Sequence, residues 1–138
     1  MKIGIHQHVF TSKLDKQNLD ILNFIREIGF DSIDINVRNA ELDFAKTIRK
    51  RAEKLNLILT GGGSLPRGKE ILSQDRQKRK EAIEYMKELI RKVYEIGAGL
   101  YHGILYATGG VFTGRGPTDN EINYAVEGLK EASGYAKI

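Results

Sequence analysis

Two hydrophobic rhythms alternate along the chain. Short apolar runs with strand character are followed by longer stretches in which apolar residues recur at helical spacing. Lys2 to Ile5 opens as a short strand, and Asp15 is placed to cap a helix whose stripe is Leu19, Leu22, Ile25 and Ile28. Gly29 follows the last of these, where a left-handed C-terminal cap belongs. Phe30 to Ile35 reads as the second strand. The pattern then repeats. Phe44, Ile48, Ala52 and Leu55 make a second helical stripe, and Asn56 takes the cap position. Leu57 to Thr60 is a third strand, whose continuous apolar run predicts burial on both faces. A glycine-rich loop, Gly61 to Leu72, leads to a long third helix starting near Ser73 or Asp75, with stripe Ile83, Met86, Ile90 and Val93 and terminator Gly97. Leu100 to Leu105 is the fourth strand. Thr118-Asp119-Asn120-Glu121 is a capping box, opening a fourth helix with Ile122, Ala125, Leu129, Ala132 and Ala136 inside.

Four consecutive strand-loop-helix units define an α/β protein with parallel strands and crossover helices. No linker or low-complexity segment interrupts them, so residues 1–138 are expected to form a single domain. Two architectures fit: an open doubly wound sheet, or half of an eight-stranded (β/α)8 barrel, whose full length is ~250 residues. The loops after strands are polar or glycine-rich and the loops after helices are minimal, which is how a barrel builds its active face. The chain also stops at Ala136-Lys137-Ile138 inside a helical pattern, so it reads as truncated after the fourth helix. Both features favour the half barrel.

Composition narrows the chemistry. The chain has no cysteine, which excludes a disulfide framework, a thiolate zinc site and a cysteine nucleophile. No apolar run approaches the ~20 residues of a membrane span, and the start is too quickly polar for a signal peptide. A cytoplasmic protein with no membrane partner is expected. The net charge is +4, but the basic clusters Arg49-Lys50-Arg51 and Arg76-Gln77-Lys78-Arg79-Lys80 sit on predicted helices with glutamates nearby. They read as solvated helix faces and not as a nucleic-acid surface, which would interleave aromatics.

Several stretches, in this order and spacing, carry a family resemblance. They are Met1-Lys2-Ile3-Gly4-Ile5, Ile28-Gly29-Phe30-Asp31-Ser32-Ile33-Asp34-Ile35, Leu72-Ser73-Gln74-Asp75, Gly103-Ile104-Leu105-Tyr106 and Pro117-Thr118. The chain resembles the N-terminal half of the xylose isomerase-like TIM-barrel superfamily, in its sugar isomerase/epimerase branch with the D-tagatose and D-psicose 3-epimerases. The resemblance implies an eight-stranded barrel with a divalent metal (manganese, cobalt or magnesium) held by two glutamates, an aspartate and a histidine on strands five to eight. In that family the glutamates also exchange the proton at the epimerised carbon. None of those strands is encoded here. The resemblance thus implies a substrate-binding half with no catalytic residue and no metal ligand, inactive by itself.

The candidate binding residues are His6, His8, Asp34, Gly62, Gly63, Leu105 and Tyr106. His6 and His8 end the first strand and share a side by the period of two. Two imidazoles without a third ligand make a weak metal site, so metal binding is not expected of them. The resemblance gives His6 a hydrogen bond to a sugar hydroxyl. Asp34 and Asn36 close the second strand on a shared side, where Asp34 can accept from a sugar or from His6, or satisfy a neighbouring loop. Gly61-Gly62-Gly63-Ser64 offers backbone N–H groups to a ligand. Gly63 to Lys69 imitates seven positions of a phosphate loop, but Glu70 stands where a magnesium-binding hydroxyl belongs. Nucleotide binding is therefore not expected, and Arg67 or Lys69 serves better as a counter-charge to a sugar phosphate. The resemblance places Leu105 and Tyr106 along the sugar pocket, Tyr106 offering a ring and a polar tip. Phe10 and Phe112 are either further apolar walls or loop packing, and His102 reads as a core histidine.

Two functions compete. One is a sugar isomerase/epimerase half that needs a complementary half for proton transfer next to a carbonyl. The other is a non-catalytic, self-associating module binding a small polyol or phosphate. Either way, unpaired strand edges and an uncovered, apolar inner face predict a homodimer or larger assembly.

Overall fold

A computed structural model describes residues 1–137. The elements follow the predicted order: β1 (Gly4–His6), a 3₁₀ turn (Gln7–Val9), α1 (Ile21–Glu27), β2 (Ser32–Asn36), α2 (Leu42–Lys54), β3 (Ile58–Gly62), α3 (Arg76–Glu95), β4 (Tyr101–His102) and α4 (Asp119–Tyr135). The strands lie in one sheet in the order β1-β2-β3-β4. A doubly wound sheet has a point where strand order reverses, and this order has none. The parallel register aligns Gly4 with Ser32 and Ser32 with Ile58, then His6 with Asp34 and Asp34 with Thr60, and finally Asn36 with Gly62.

The chain divides into two compact units, residues 1–62 with 91–101, and residues 63–90 with 102–138. In the first unit Ile33, Ile35, Val37 and Leu59 are buried, together with Leu22 and Ile25 of α1, Phe44, Ile48 and Ala52 of α2, and Val93. The alternate positions Ser32, Asp34, Asn36 and Thr60 are only half-buried, and Ile58 is exposed. The expectation that β3 is buried on both faces is thus corrected: one face carries the helices and the other is open. The open face is also polar, with His6, Ser32, Asp34, Asn36 and Thr60 on it, and not the apolar patch expected. In the second unit Leu65, Ile71, Ala82, Met86 and Ala132 form the core, flanked by Ile83, Ile90, Leu105 and Leu129.

The helix stops came out as read. Gly29, Asn56 and Gly97 all adopt positive φ, at 99°, 50° and 78°. The capping box also forms, with the Thr118 side chain accepting from the Glu121 N–H and the Glu121 carboxylate accepting from the Thr118 N–H. Three readings need correction. Asp15 does not open α1. It accepts from the Gln17 N–H in a local turn, while Asn18 bonds Thr11 and Lys13, and these side-chain bonds hold the segment out of helix until Ile21. Ile122 and Ala136, expected inside α4, are exposed. The helix itself ends at Tyr135 with Ala136 as its cap, while Ile138 lies outside the described residues.

Candidate functional site on the open face of β1, β2 and β3

The second register row of the sheet carries the densest polar arrangement. His6, Asp34 and Thr60 stand side by side on β1, β2 and β3. Thr60 Oγ1 donates to Asp34 Oδ1 at 2.9 Å, and His6 Nε2 stands 3.0 Å from Asp34 Oδ2. The Asp34 carboxylate is mostly buried, with 13% of the side chain exposed, whereas His6 keeps 45%. Gly62 sits beside this carboxylate. A Cβ on Gly62 would fall 2.6 Å from Asp34 Oδ2, so the absence of a side chain there makes the space Asp34 occupies.

A second group continues from the first. Asn36 Nδ2 is 2.7 Å from His8 Nε2, and Asn36 Oδ1 accepts from the Arg38 N–H. The amide orientation follows: its oxygen faces Arg38, so its NH₂ donates to His8. The His6 and His8 rings stack with centroids 4.8 Å apart and planes 15° off parallel. The His8 N–H donates to His6 Nδ1 at 3.0 Å, which makes His6 the cap of the 3₁₀ turn. Beneath them Gln7 is buried, and its Oε1 accepts from the Asn36 N–H at 3.2 Å. The structure thus brings together His6, His8, Asp34 and Gly62 from the candidates. Thr60 and Gln7 join them without having been singled out. The strand ends at His6 and His8 lies in the 3₁₀ turn, so the expectation that both histidines end β1 is corrected, and the burial of Gln7 follows from that turn and not from strand alternation. Thr60 was not detectable either, because only the strand register puts it against Asp34.

The glycine run corrects a reading. It does not form a loop of ligand-facing amides. β3 runs through Gly62, and the ladder continues as Gly61 N–H donates to Leu100 O, Gly63 N–H to His102 O, and Leu65 N–H to Ile104 O. Gly61 serves the helix side, since a Cβ there would meet Val93 Cγ2 at 2.5 Å.

In the second unit Leu105 packs against the Leu65–Ile71–Met86 core, and Tyr106 is exposed. His102 is exposed and not a core residue. Phe10 meets Phe24 of α1 edge to face at 5.9 Å, which is loop packing, and Phe112 is exposed. The phosphate-loop imitation folds as a turn, with Lys69 N–H donating to Pro66 O and Gly68 at φ 86°. Glu70 pairs with Lys78 at 3.5 Å. A cavity of about 390 Å³ in this unit is lined by Arg67, Glu70, Leu72, Thr108, Val111 and Glu121 among others. Arg115 holds the Glu121 carboxyl down to about 2, helped by the Thr118 N–H.

Among the described residues, the donors of the polar row do not fit a divalent cation. Among the described residues no three His, Asp or Glu side chains converge. The donor chemistry of the polar row gives the reason. His6 Nδ1 accepts from a backbone N–H, His6 Nε2 faces Asp34, and His8 Nε2 faces an amide NH₂. A cation needs lone pairs aimed at one point; His6 Nδ1 and His8 Nε2 are taken by N–H donors, and His6 Nε2 carries its own proton beside a carboxylate.

No curated protein sequence matches this one. A family model described as xylose isomerase-like TIM barrel matches residues 22–137. Among solved structures, D-psicose 3-epimerase from Clostridium cellulolyticum H10 with D-tagatose superposes at a TM-score of 0.85, with 19% identity, over 99% of this chain and 49% of its own. An L-ribulose 3-epimerase gives a TM-score of 0.86 at 25% identity, over 99% and 46%. The 3-keto-D-glucoside 4-epimerase of E. coli gives 0.71 at 20%, over 99% and 52%. The chain therefore spans about half the length of these structures, and its four parallel βα units are the fold of half a TIM barrel of the (β/α)8 type. With the match extending from α1 to the end of α4, the chain belongs to the xylose isomerase-like TIM-barrel family.

Proposed function

We propose that this chain is the sugar-binding half of an isomerase or epimerase acting on a ketose, with proton transfer next to the carbonyl carried out by groups on a complementary half. One observation carries the reading: the open sheet face places His6, Asp34 and Thr60, then His8 and Asn36, toward the C-terminal ends of β1, β2 and β3. Ligands of barrel enzymes meet that end, and a row of hydroxyl, imidazole and carboxylate groups suits a polyol better than an apolar or phosphorylated ligand. The neighbouring sugar epimerase folds support the substrate class. The manganese, cobalt or magnesium implied for a complete barrel would be held by the complementary half, in keeping with the donor set described above.

Association belongs to the same proposal. Two of the helices carry exposed apolar pairs one turn apart, Phe24 and Ile28 at α1 and Ile122 and Val126 on α4, whereas α2 exposes no large apolar side chain. Such pairs favour a homodimer or a complementary half barrel, and the same pairs support the second reading, a self-associating module without catalysis. The test is an epimerisation assay of the chain with manganese or cobalt on ketohexoses, beside sedimentation. A dimer or larger assembly that binds ketohexose without turnover is expected. Robust turnover by this chain alone overturns the division of labour, and a monodisperse monomer overturns the association.

A further inference from the structure

The two histidines of the open face are not equivalent, and the hydrogen bonds around them say which one is available. His6 Nδ1 accepts from the His8 N–H, so a neutral His6 carries its proton on Nε2, which lies 3.0 Å from Asp34 Oδ2. One nitrogen is thereby hydrogen-bonded within the chain and the other lies against a carboxylate. His8 is the reverse. Its Nε2 accepts from the Asn36 amide, whose orientation is set by the Arg38 N–H, so a neutral His8 carries its proton on Nδ1. That N–H has no partner among the described residues, and His8 is exposed. His6 meanwhile fixes His8 twice, by stacking on its ring and by holding its backbone N–H.

We infer that His8, donating from Nδ1, is the histidine that recognises a hydroxyl or carbonyl oxygen of a polyhydroxylated ligand on this face, and that His6 is a positioning residue that sets the His8 ring. The inference rests on the sugar-binding reading for its ligand but not for its geometry. It also reverses the role that resemblance assigned to His6. A ligand oxygen meets a donor held by stacking on one side and by Asn36 on the other, so little side-chain entropy is lost on binding.

Two measurements on the full chain separate the inference from the reading beneath it. The first is long-range ¹H–¹⁵N spectroscopy of the imidazoles near neutral pH with no sugar present. Opposite tautomers are expected, Nε2–H for His6 and Nδ1–H for His8, with Asn36→Ala allowing His8 to redistribute. An Nε2–H tautomer at His8 overturns the inference whatever the ligand. The second is a titration with D-fructose and D-psicose, read by calorimetry in the wild-type chain and in every variant. His8→Ala is expected to weaken binding about tenfold, the loss of one hydrogen bond to a held donor. His6→Ala is expected to weaken it several-fold, and His6→Asn, whose Oδ1 can accept the His8 N–H, to restore most of that loss. Equal loss in His6→Ala and His6→Asn, with His8→Ala unchanged, makes His6 the direct contact and overturns the inference. Failure of the wild-type chain to bind either sugar overturns the sugar reading and the ligand contact with it, while the tautomer spectra still decide the positioning role of His6.

Discussion

The two faces of the first unit's sheet are built from alternate residues of the same strands, yet they are held by different physics. On the helix side of β2 and its extension stand Ile33, Ile35 and Val37, all fully or almost fully buried. On the other side stand Ser32, Asp34 and Asn36, half-buried and joined to His6, His8 and Thr60. The helix side is specified by volume. Any apolar group of the right size serves, and the strength comes from area removed from water. The open side is specified by direction. Each donor there has a particular acceptor, and exchanging Thr60 for valine would keep the shape and lose the bond. A closed barrel interior is filled by branched apolar side chains. A polar row in that position therefore departs from what packing alone requires, and this departure is the reason the proposed site is put on that face.

The sharpest break between the faces comes from truncating adjacent residues. Ile35→Ala removes a side chain that is 1% exposed and leaves a cavity, with an expected loss of about 2–5 kcal/mol in unfolding free energy. Asp34→Ala, one residue away, leaves Thr60 and His6 to solvent and is expected to cost less, about 1–3 kcal/mol. Urea denaturation of both variants checks this. A larger loss for Asp34→Ala would mean that the polar row, and not the core, holds the sheet together.

The neighbouring glycines sharpen the comparison at smaller amplitude. Gly61→Ala puts a Cβ 2.5 Å from Val93 Cγ2 and 3.1 Å from Val37 Cγ1, in a packed interior that has to shift, so about 1–3 kcal/mol of stability is expected to go. Gly62→Ala meets Asp34 Oδ2 at 2.6 Å, the end of a side chain that can rotate away. The stability change is expected to be about 1 kcal/mol or less in either direction, since the entropy gained by replacing glycine offsets the disturbed bond. The His6 ring resonances, however, should move with the carboxylate. Denaturation should thus register Gly61→Ala and spectroscopy Gly62→Ala. The opposite assignment would mean that the two glycines face the other way.

These cases show which parts of the molecule the sequence makes legible. Helix stops were readable because they are local: Gly29, Asn56 and Gly97 each adopt positive φ, and that need is met by the residue itself. The Thr118–Glu121 box was readable for the same reason. The start of α1 was misread because Asp15, Asn18 and Thr11 bond one another before any helix can form, and a hydrophobic period carries no trace of that competition. Site residues were legible where the period of two sufficed, as for Asp34 with Asn36, whereas His8 comes to His6 through a 3₁₀ turn that the period does not describe. Thr60 and Gly62 required the register that pairs Asp34 with Thr60 and Asn36 with Gly62, and register is settled only when the helix side of every strand is packed together.

The smallest expected effect concerns a polar network with no buried member. Glu121 at the start of α4 is held by Arg115 at 2.8 and 2.9 Å and by the Thr118 N–H at 2.7 Å, and its carboxyl is lowered from 4.5 to about 2, chiefly by Arg115. A carboxyl lowered by folding contributes stability above its unfolded value and loses it as pH falls through the folded one. The box is therefore intact above about pH 4.5 and opens as pH falls toward about 2. Solvent screens it, so the change should stay local to the first turn of α4 and leave the sheet unaffected. The Glu121 side-chain resonance should titrate near the low end of that window. Arg115→Gln should raise its midpoint more than Thr118→Ala, because alanine keeps the backbone N–H that holds the carboxylate and loses only the hydroxyl. A wild-type midpoint near 4.5 would show the box open in solution. A larger shift in Thr118→Ala than in Arg115→Gln would place the hold on the hydroxyl and not on the guanidinium. Against this, the Asp34–Thr60 bond provides the contrast: its donor is an uncharged hydroxyl, so added salt should loosen the Arg115–Glu121 pair first and leave the Thr60–Asp34 bond in place.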